Sequence, residues 1–201
     1  MKKNISAMLR KCASLAPVSA LGLAAGCLYM GDPGHIPPDA SVAASMEGVR
    51  VELVRHSTGC QSTEPQGLIV EVGPGLEYPA HAVSALKADC SQVLNPGVEV
   101  NVEENAAVFD FSNVAEPGRF PDGEFEGYIL NIVRTADAPV LILALVDLQM
   151  STLDVFEGDL SFDGDGLAVN LAGMTFDSNS FLRIDLYLVS VGGDGDSSEA
   201  I

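Results

Sequence analysis

The twelve residues Asp159–Asn170, DLSFDGDGLAVN, admit two readings with different consequences for the whole chain. As an oxygen-lined calcium loop, Asp159, Ser161 and Asp163 fall at positions one, three and five, with Gly164 at six and Asp165 beside it. The far end departs from that pattern. Position twelve, where a bidentate glutamate closes the shell, is Asn170, and position eight, an apolar anchor, is Gly166. As a β-hairpin, Leu160 and Phe162 form one alternating arm and Leu167, Val169 and Leu171 the other, with Asp163–Gly166 as the turn. The hairpin reading puts all five apolar residues on one face and expects the glycines to supply positive φ angles. It accounts for every residue and is the preferred reading. Weak calcium binding through Asp159, Ser161, Asp163 and Asp165 stands as the alternative.

The same period of two recurs along the chain. Val49, Val51 and Leu53 alternate with Arg50 and Glu52, Val98, Val100 and Val102 with Glu99 and Asn101, and Leu182, Ile184, Leu186 and Leu188 with Arg183, Asp185 and Tyr187. Further strands are expected over 67–72, 106–111 and 128–134. The unbroken apolar run 140–146 predicts a strand covered on both faces. Turn signals at Gly73-Pro74-Gly75, Asn95-Pro96-Gly97 and Pro121-Asp122-Gly123 separate the segments. About eight or nine short strands so spaced predict an all-β fold, an antiparallel β-sandwich over residues 47–191. The alanine-rich stretch 79–94, opened by Pro79, leaves room for one short helix.

The chain begins MKKNISAMLRKCASLAPVSALGLAAGC: four basic residues, an uncharged run from Cys12 to Gly26, then Cys27. The run is too short to span a bilayer and has the layout of an export signal. Its end, Leu23-Ala24-Ala25-Gly26-Cys27, resembles the lipobox of bacterial lipoproteins, with Ala24 where leucine is more usual. The resemblance implies removal of residues 1–26, lipidation of Cys27, and anchoring by two or more acyl chains. Leu28 in place of aspartate implies sorting to the outer membrane, facing the periplasm or the cell surface. Residues 27–46, rich in Pro, Gly and small side chains, read as a tether, and 192–201 as a disordered acidic tail.

Charge narrows the partners. The chain holds 10 basic and 28 acidic residues; taking away the four basic ones before Cys27 leaves 6 against 28, a net of −22. Such a field repels phosphate backbones and favours cationic ligands, so the expected partners are the membrane, through the lipid, and another envelope protein, not nucleic acid.

After export, Cys60 and Cys90 are the remaining cysteines in an oxidising compartment and are expected to form a disulfide. Such a bond would contribute roughly 3–4 kcal/mol in the chain-entropy model. A zinc site from His56, Cys60, His81 and Cys90 is the weaker alternative, because the second pair is spread over nine positions. No nucleophile elbow, zinc helix or phosphate-cradling loop occurs. His35 falls in the tether, the adjacent His56 and Ser57 make a poor base and nucleophile, and the carboxylate pairs Glu103/Glu104 and Glu124/Glu126 sit where solvated charge is ordinary. With no Trp, stacking platforms for sugars are scarce. No catalytic residue or cofactor is therefore assigned. The expected role is structural or protein- or ligand-binding, with a hydrolase as a further alternative.

From Phe125 to Leu186 the chain also resembles a segment found in secreted bacterial proteins without assigned activity. The shared look lies in Phe125-Glu126-Gly127-Tyr128, Ser161-Phe162-Asp163, Val169–Gly173 and Arg183-Ile184-Asp185. That resemblance implies a β-rich module and no chemistry.

Overall fold

The computed structural model describes residues 41–42, 44–58, 67–86 and 96–190. In chain order the elements are β1 (Ser41–Val42), β2 (Arg50–Ser57), β3 (Leu68–Glu71), α1 (Ala80–Ala85), β4 (Glu99–Glu103), β5 (Ala106–Asp110) and β6 (Gly118–Arg119). There follow β7 (Glu126–Ile132), β8 (Val140–Val146), a 3-10 turn (Glu157–Asp159), β9 (Leu160–Asp163), β10 (Gly166–Asn170), β11 (Thr175–Phe176) and β12 (Phe181–Ser190). The expected all-β sandwich is the observed architecture.

One sheet runs β1-β12-β5-β4, with β8 on the other side of β12; the second runs β3-β2-β7-β10-β9. All pairings are antiparallel. Alternation dictates the core. Val100, Phe109, Leu182 and Ile184 of the first sheet meet Leu53, Leu130, Leu167 and Val169 of the second, each at most 3% exposed. A buried side chain of this kind contributes roughly 1.5–3 kcal/mol. Tyr78 ties the layers: it bridges to Val100 through the backbone while its hydroxyl donates to the Val51 carbonyl at 2.9 Å. Burial pushes its pKa well above the ordinary tyrosine value.

Two expectations about these elements need correction. The run 140–146 is a strand, but it is not covered on both faces: only Leu141 and Ala144 are buried, and Ile142 is 38% exposed. The missing alternation has a local cause, a register shift in the β8–β12 pairing between Tyr187 and Leu188, together with an apolar outer face. The expected tether 27–46 overlaps the domain. Ser41 and Val42 pair with Ser190 and Val189, and Met46 is 1% exposed in the core with its amide bonded to the Glu104 carbonyl. The stretch 79–94 supplies the short helix α1, which buries Val83; residues 87–95 lie outside the described residues.

The hairpin of the opening stretch forms as read, β9 against β10 with Phe162 opposite Leu167 and Leu160 opposite Val169. Its glycines act otherwise than expected. The positive-φ glycines are Gly48 and Gly173, so neither Gly164 nor Gly166 supplies a left-handed residue. Gly166 is required by close approach instead, since a Cβ there would lie 2.4 Å from the Leu130 carbonyl oxygen on β7. The turn is closed by the Asp163 carboxylate, which accepts the Asp165 amide at 2.8 Å.

Candidate functional site

On β2 and β7 the inward-facing rows begin as core and end as charge. Val51 and Leu53 lie opposite Ile132 and Leu130; the next inward pairs are Arg55 with Tyr128 and Ser57 with Glu126. Strand alternation carries these polar groups inside: Arg55 is 1% exposed, Glu126 2% and Ser57 4%. The Arg55 guanidinium donates to Glu126 Oε2 at 3.0 Å and to the carbonyls of Gly127 at 2.8 Å and His56 at 2.5 Å. The Ser57 hydroxyl donates to Glu126 Oε1, and the Glu126 amide donates to Asn170 Oδ1 at 3.0 Å. Two rings flank the cation, Tyr128 with its centroid 5.3 Å from Arg55 Cζ and Phe120 at 5.6 Å.

Phe120 reaches this position from the small β6–β11 ribbon, where it packs on Phe111 and Phe176 and closes that end of the sandwich. Beneath this lid the ion pair is cut off from solvent. Burying both charges costs several kcal/mol per ion, and the pair is tolerable only because nearly every donor and acceptor is engaged. Among the described residues, Arg55 Nε and Tyr128 Oη are the buried side-chain atoms without a hydrogen-bond partner. Burial pushes the Tyr128 pKa up to about 12, with the nearby Arg55 charge pulling the other way.

The alternation of β2 also separates His56 from Ser57. Ser57 faces inward to Glu126, while His56 lies on the opposite face of its sheet, its ring centroid 5.6 Å from Phe125. The Glu124/Glu126 pair is split too, because Glu124 precedes β7 and is exposed, whereas Glu126, expected as solvated charge, opens the strand and is buried. His81 is an exposed residue of α1. Cys27, Cys60 and Cys90 lie outside the described residues, and with them the lipidation, disulfide and zinc expectations.

The four oxygen-bearing residues of the opening stretch do not converge. Asp159 precedes β9 and accepts the Phe156 amide at 3.0 Å, whereas Asp163 and Asp165 flank the turn at the other end of that strand. Ser161 is an exposed residue between them. Asp165 has a cation of its own in the chain: Arg134 pairs with its carboxylate and donates to the Gly164 and Pro139 carbonyls. Among the described residues no cluster of three or more His, Cys, Asp or Glu is placed to hold a metal ion.

A second arrangement lies on the outer face of the first sheet. Cross-strand register places Glu99 beside Asp110, Asn101 beside Val108 and Arg183, and Glu103 beside Ala106 and Asp185. Arg183 bonds Glu103 at 2.6 Å and Asp185 at 3.2 Å, with Asp147 at 4.0 Å, so one cation stands among several carboxylates; Glu103 above all, and then Asp185, raise its pKa. The loop 73–76 overhangs this face. It is held there by Glu77, whose carboxylate accepts the amides of Gly73 at 3.1 Å and Val102 at 2.9 Å, and by Asn101, whose amide nitrogen donates to Glu77 and to the Gly75 carbonyl. Between loop and sheet lies an open groove of about 580 Å³, walled by Pro74 and Leu76 and floored by Val108, with Glu99, Glu103, Glu104 and Asp110 along it. Further along the face the residues turn apolar, where Tyr187 pairs with Leu143 and Asp185 with Leu145.

Sequence reading missed both arrangements. For the ion pair a signal existed: Arg55 stands in phase with Val51 and Leu53, and Glu126 in phase with Tyr128, Leu130 and Ile132, so opposite charges end two inward rows. For the groove none existed, because it depends on a loop folding over a non-adjacent strand. The chain matches no protein-family model, no curated protein and no solved structure.

Proposed function

We propose that this protein is a lipid-anchored bacterial envelope protein, held at the outer membrane through Cys27, whose β-sandwich binds a partner rather than catalysing a reaction. The observation that carries this reading is the polarity of the domain. The chain enters through β1, which pairs with Val189 and Ser190 at one end of β12; Phe181, Asp110 and Glu99 lie at the opposite end. A ten-residue strand separates the two by about 30 Å. An anchor placed before β1 therefore leaves the Glu99 and Asp110 end of the groove remote from the chain entry, with Glu104, whose carbonyl accepts the Met46 amide, at its near end. The charged residues buried among the described ones, Arg55 and Glu126, face each other under an aromatic lid, which suits a framework role better than work on a substrate.

Replacement of Cys27 by serine, followed by cell fractionation and mass spectrometry of the N-terminal peptide, tests the anchor. The wild-type protein is expected in the membrane fraction with an acylated Cys27, and C27S in the exported soluble fraction. Membrane retention of C27S would overturn the reading.

A further inference from the structure

We infer that the outer face of the β4-β5-β12-β8 sheet is the docking surface of the domain, and that its occupant is an extended cationic segment of a partner protein, basic in one half and apolar in the other. This rests on the binding role proposed above and names the partner's chemistry. Two features of one continuous face support it. The first is apolar and exposed: Tyr187 is 47% exposed and Ile142 38%, beside Leu143 and Leu145, on strands whose inner faces already fill the core. Side chains so placed gain by being covered.

The second is charge. Glu99, Glu103, Glu104 and Asp110 line the groove, and the basic residue on the face, Arg183, is already taken by Glu103 and Asp185. An anionic or neutral partner would leave Glu99, Glu104 and Asp110 uncompensated, whereas lysine or arginine side chains complement them. The apolar half and the acidic half lie along one sheet, a few residues apart on β12. A segment crossing both must therefore carry both kinds of side chain. A lipid surface fits the apolar half but is repelled by the acidic one. A second copy of this chain brings like charge to like, with a formal net charge of −18 on each chain.

The test uses the full-length protein in detergent, as wild type and as C27S, so that a failed anchor assignment leaves the binding result untouched. The probes are short synthetic peptides of two halves, Lys-rich then Val-rich (Lys/Val), Glu-rich then Val-rich (Glu/Val), and Lys-rich then Ser-rich (Lys/Ser), followed by calorimetry at low and high salt. The Lys/Val peptide is expected to bind, to weaken with salt, and to lose affinity by about tenfold or more with Tyr187→Ser and with the pair Glu99→Gln and Asp110→Asn. Ile142→Ser serves as a second apolar variant should Tyr187→Ser fold poorly, and circular dichroism of each variant confirms the fold. The inference is overturned by equal binding of the Glu/Val or Lys/Ser peptide, by no binding, or by unchanged affinity in the folded face variants. Capture by anionic or zwitterionic vesicles, or self-association that Tyr187→Ser abolishes, assigns the face to lipid or to a second copy and overturns it equally.

Discussion

Removing either partner of the Arg55–Glu126 pair should harm the fold far more than removing both. Glu126→Leu leaves a guanidinium 1% exposed, still bonded to the carbonyls of Gly127 and His56 and still flanked by Tyr128 and Phe120. Breaking a buried pair from one side costs about 3–5 kcal/mol, and these remaining contacts put Glu126→Leu near the lower end. Arg55→Met strips the buried carboxylate of its cation, leaving it the Ser57 hydroxyl; it belongs near the upper end. The double variant, with both charges gone and similar volume, should lie within about 1–2 kcal/mol of wild type. Urea denaturation followed by circular dichroism measures all of this. At about 2–4 °C per kcal/mol for a domain of this size, each single variant should melt roughly 10 °C lower. Single-variant losses under about 1 kcal/mol, or a double variant as unstable as the sum of the singles, would refute the account.

Two further outcomes follow from the geometry. Gly127→Ala and Gly166→Ala should each cost several kcal/mol, because a Cβ at either meets backbone on the neighbouring strand, at 1.8 Å from Val169 O and 2.4 Å from Leu130 O. Gly164→Ala, which meets only the tips of Val140 and Arg134 at 3.1 and 3.2 Å, should cost no more than about 1 kcal/mol; thermal melts of the three variants check the order. Tyr128→Phe should be neutral or stabilising at pH 7, since the hydroxyl has no partner among the described residues. Because the folded Tyr128 pKa lies at about 12, above the unfolded value of 10.0, its contribution is fully present below pH 10 and is lost as pH rises from there to about 12. Denaturation across that interval should show a smaller alkaline loss in the phenylalanine variant.

The layers were legible because alternation is a local property. Val100 and Val102, or Leu182 and Ile184, declare an inward face within five residues, and the hairpin at 160–171 declares its own register. What failed needed distant partners. Val140–Val146 reads as a strand buried on both sides because sequence shows apolarity and not the bulge or the exposed outer face. Glu126 reads as surface because glutamate is rarely buried, and only the antiparallel register with β2 reveals Arg55 one cross-strand pair away. The hairpin glycines were placed correctly for a reason the backbone does not use: the constraint on Gly166 comes from β7 and not from the turn. Of the binding face, the acidic composition was visible in the sequence, but the loop that builds the groove was not.

The carboxylate of Glu77 has a consequence for how any partner reads this molecule. Strand β4 is the border of its sheet, and its outward-pointing backbone is already answered: Val100 by Tyr78 in both directions, and Val102 by Glu77, whose oxygen stands where a neighbouring strand's carbonyl would. At the other border, the Leu141 amide of β8 points to the Gly164 carbonyl of the opposite sheet. Along these stretches a visiting chain finds no vacant ladder to extend, and a second copy none to join edge to edge. Recognition on this sheet is therefore a matter of side chains laid across its face, so a partner is selected by its sequence and not merely by its willingness to become another strand.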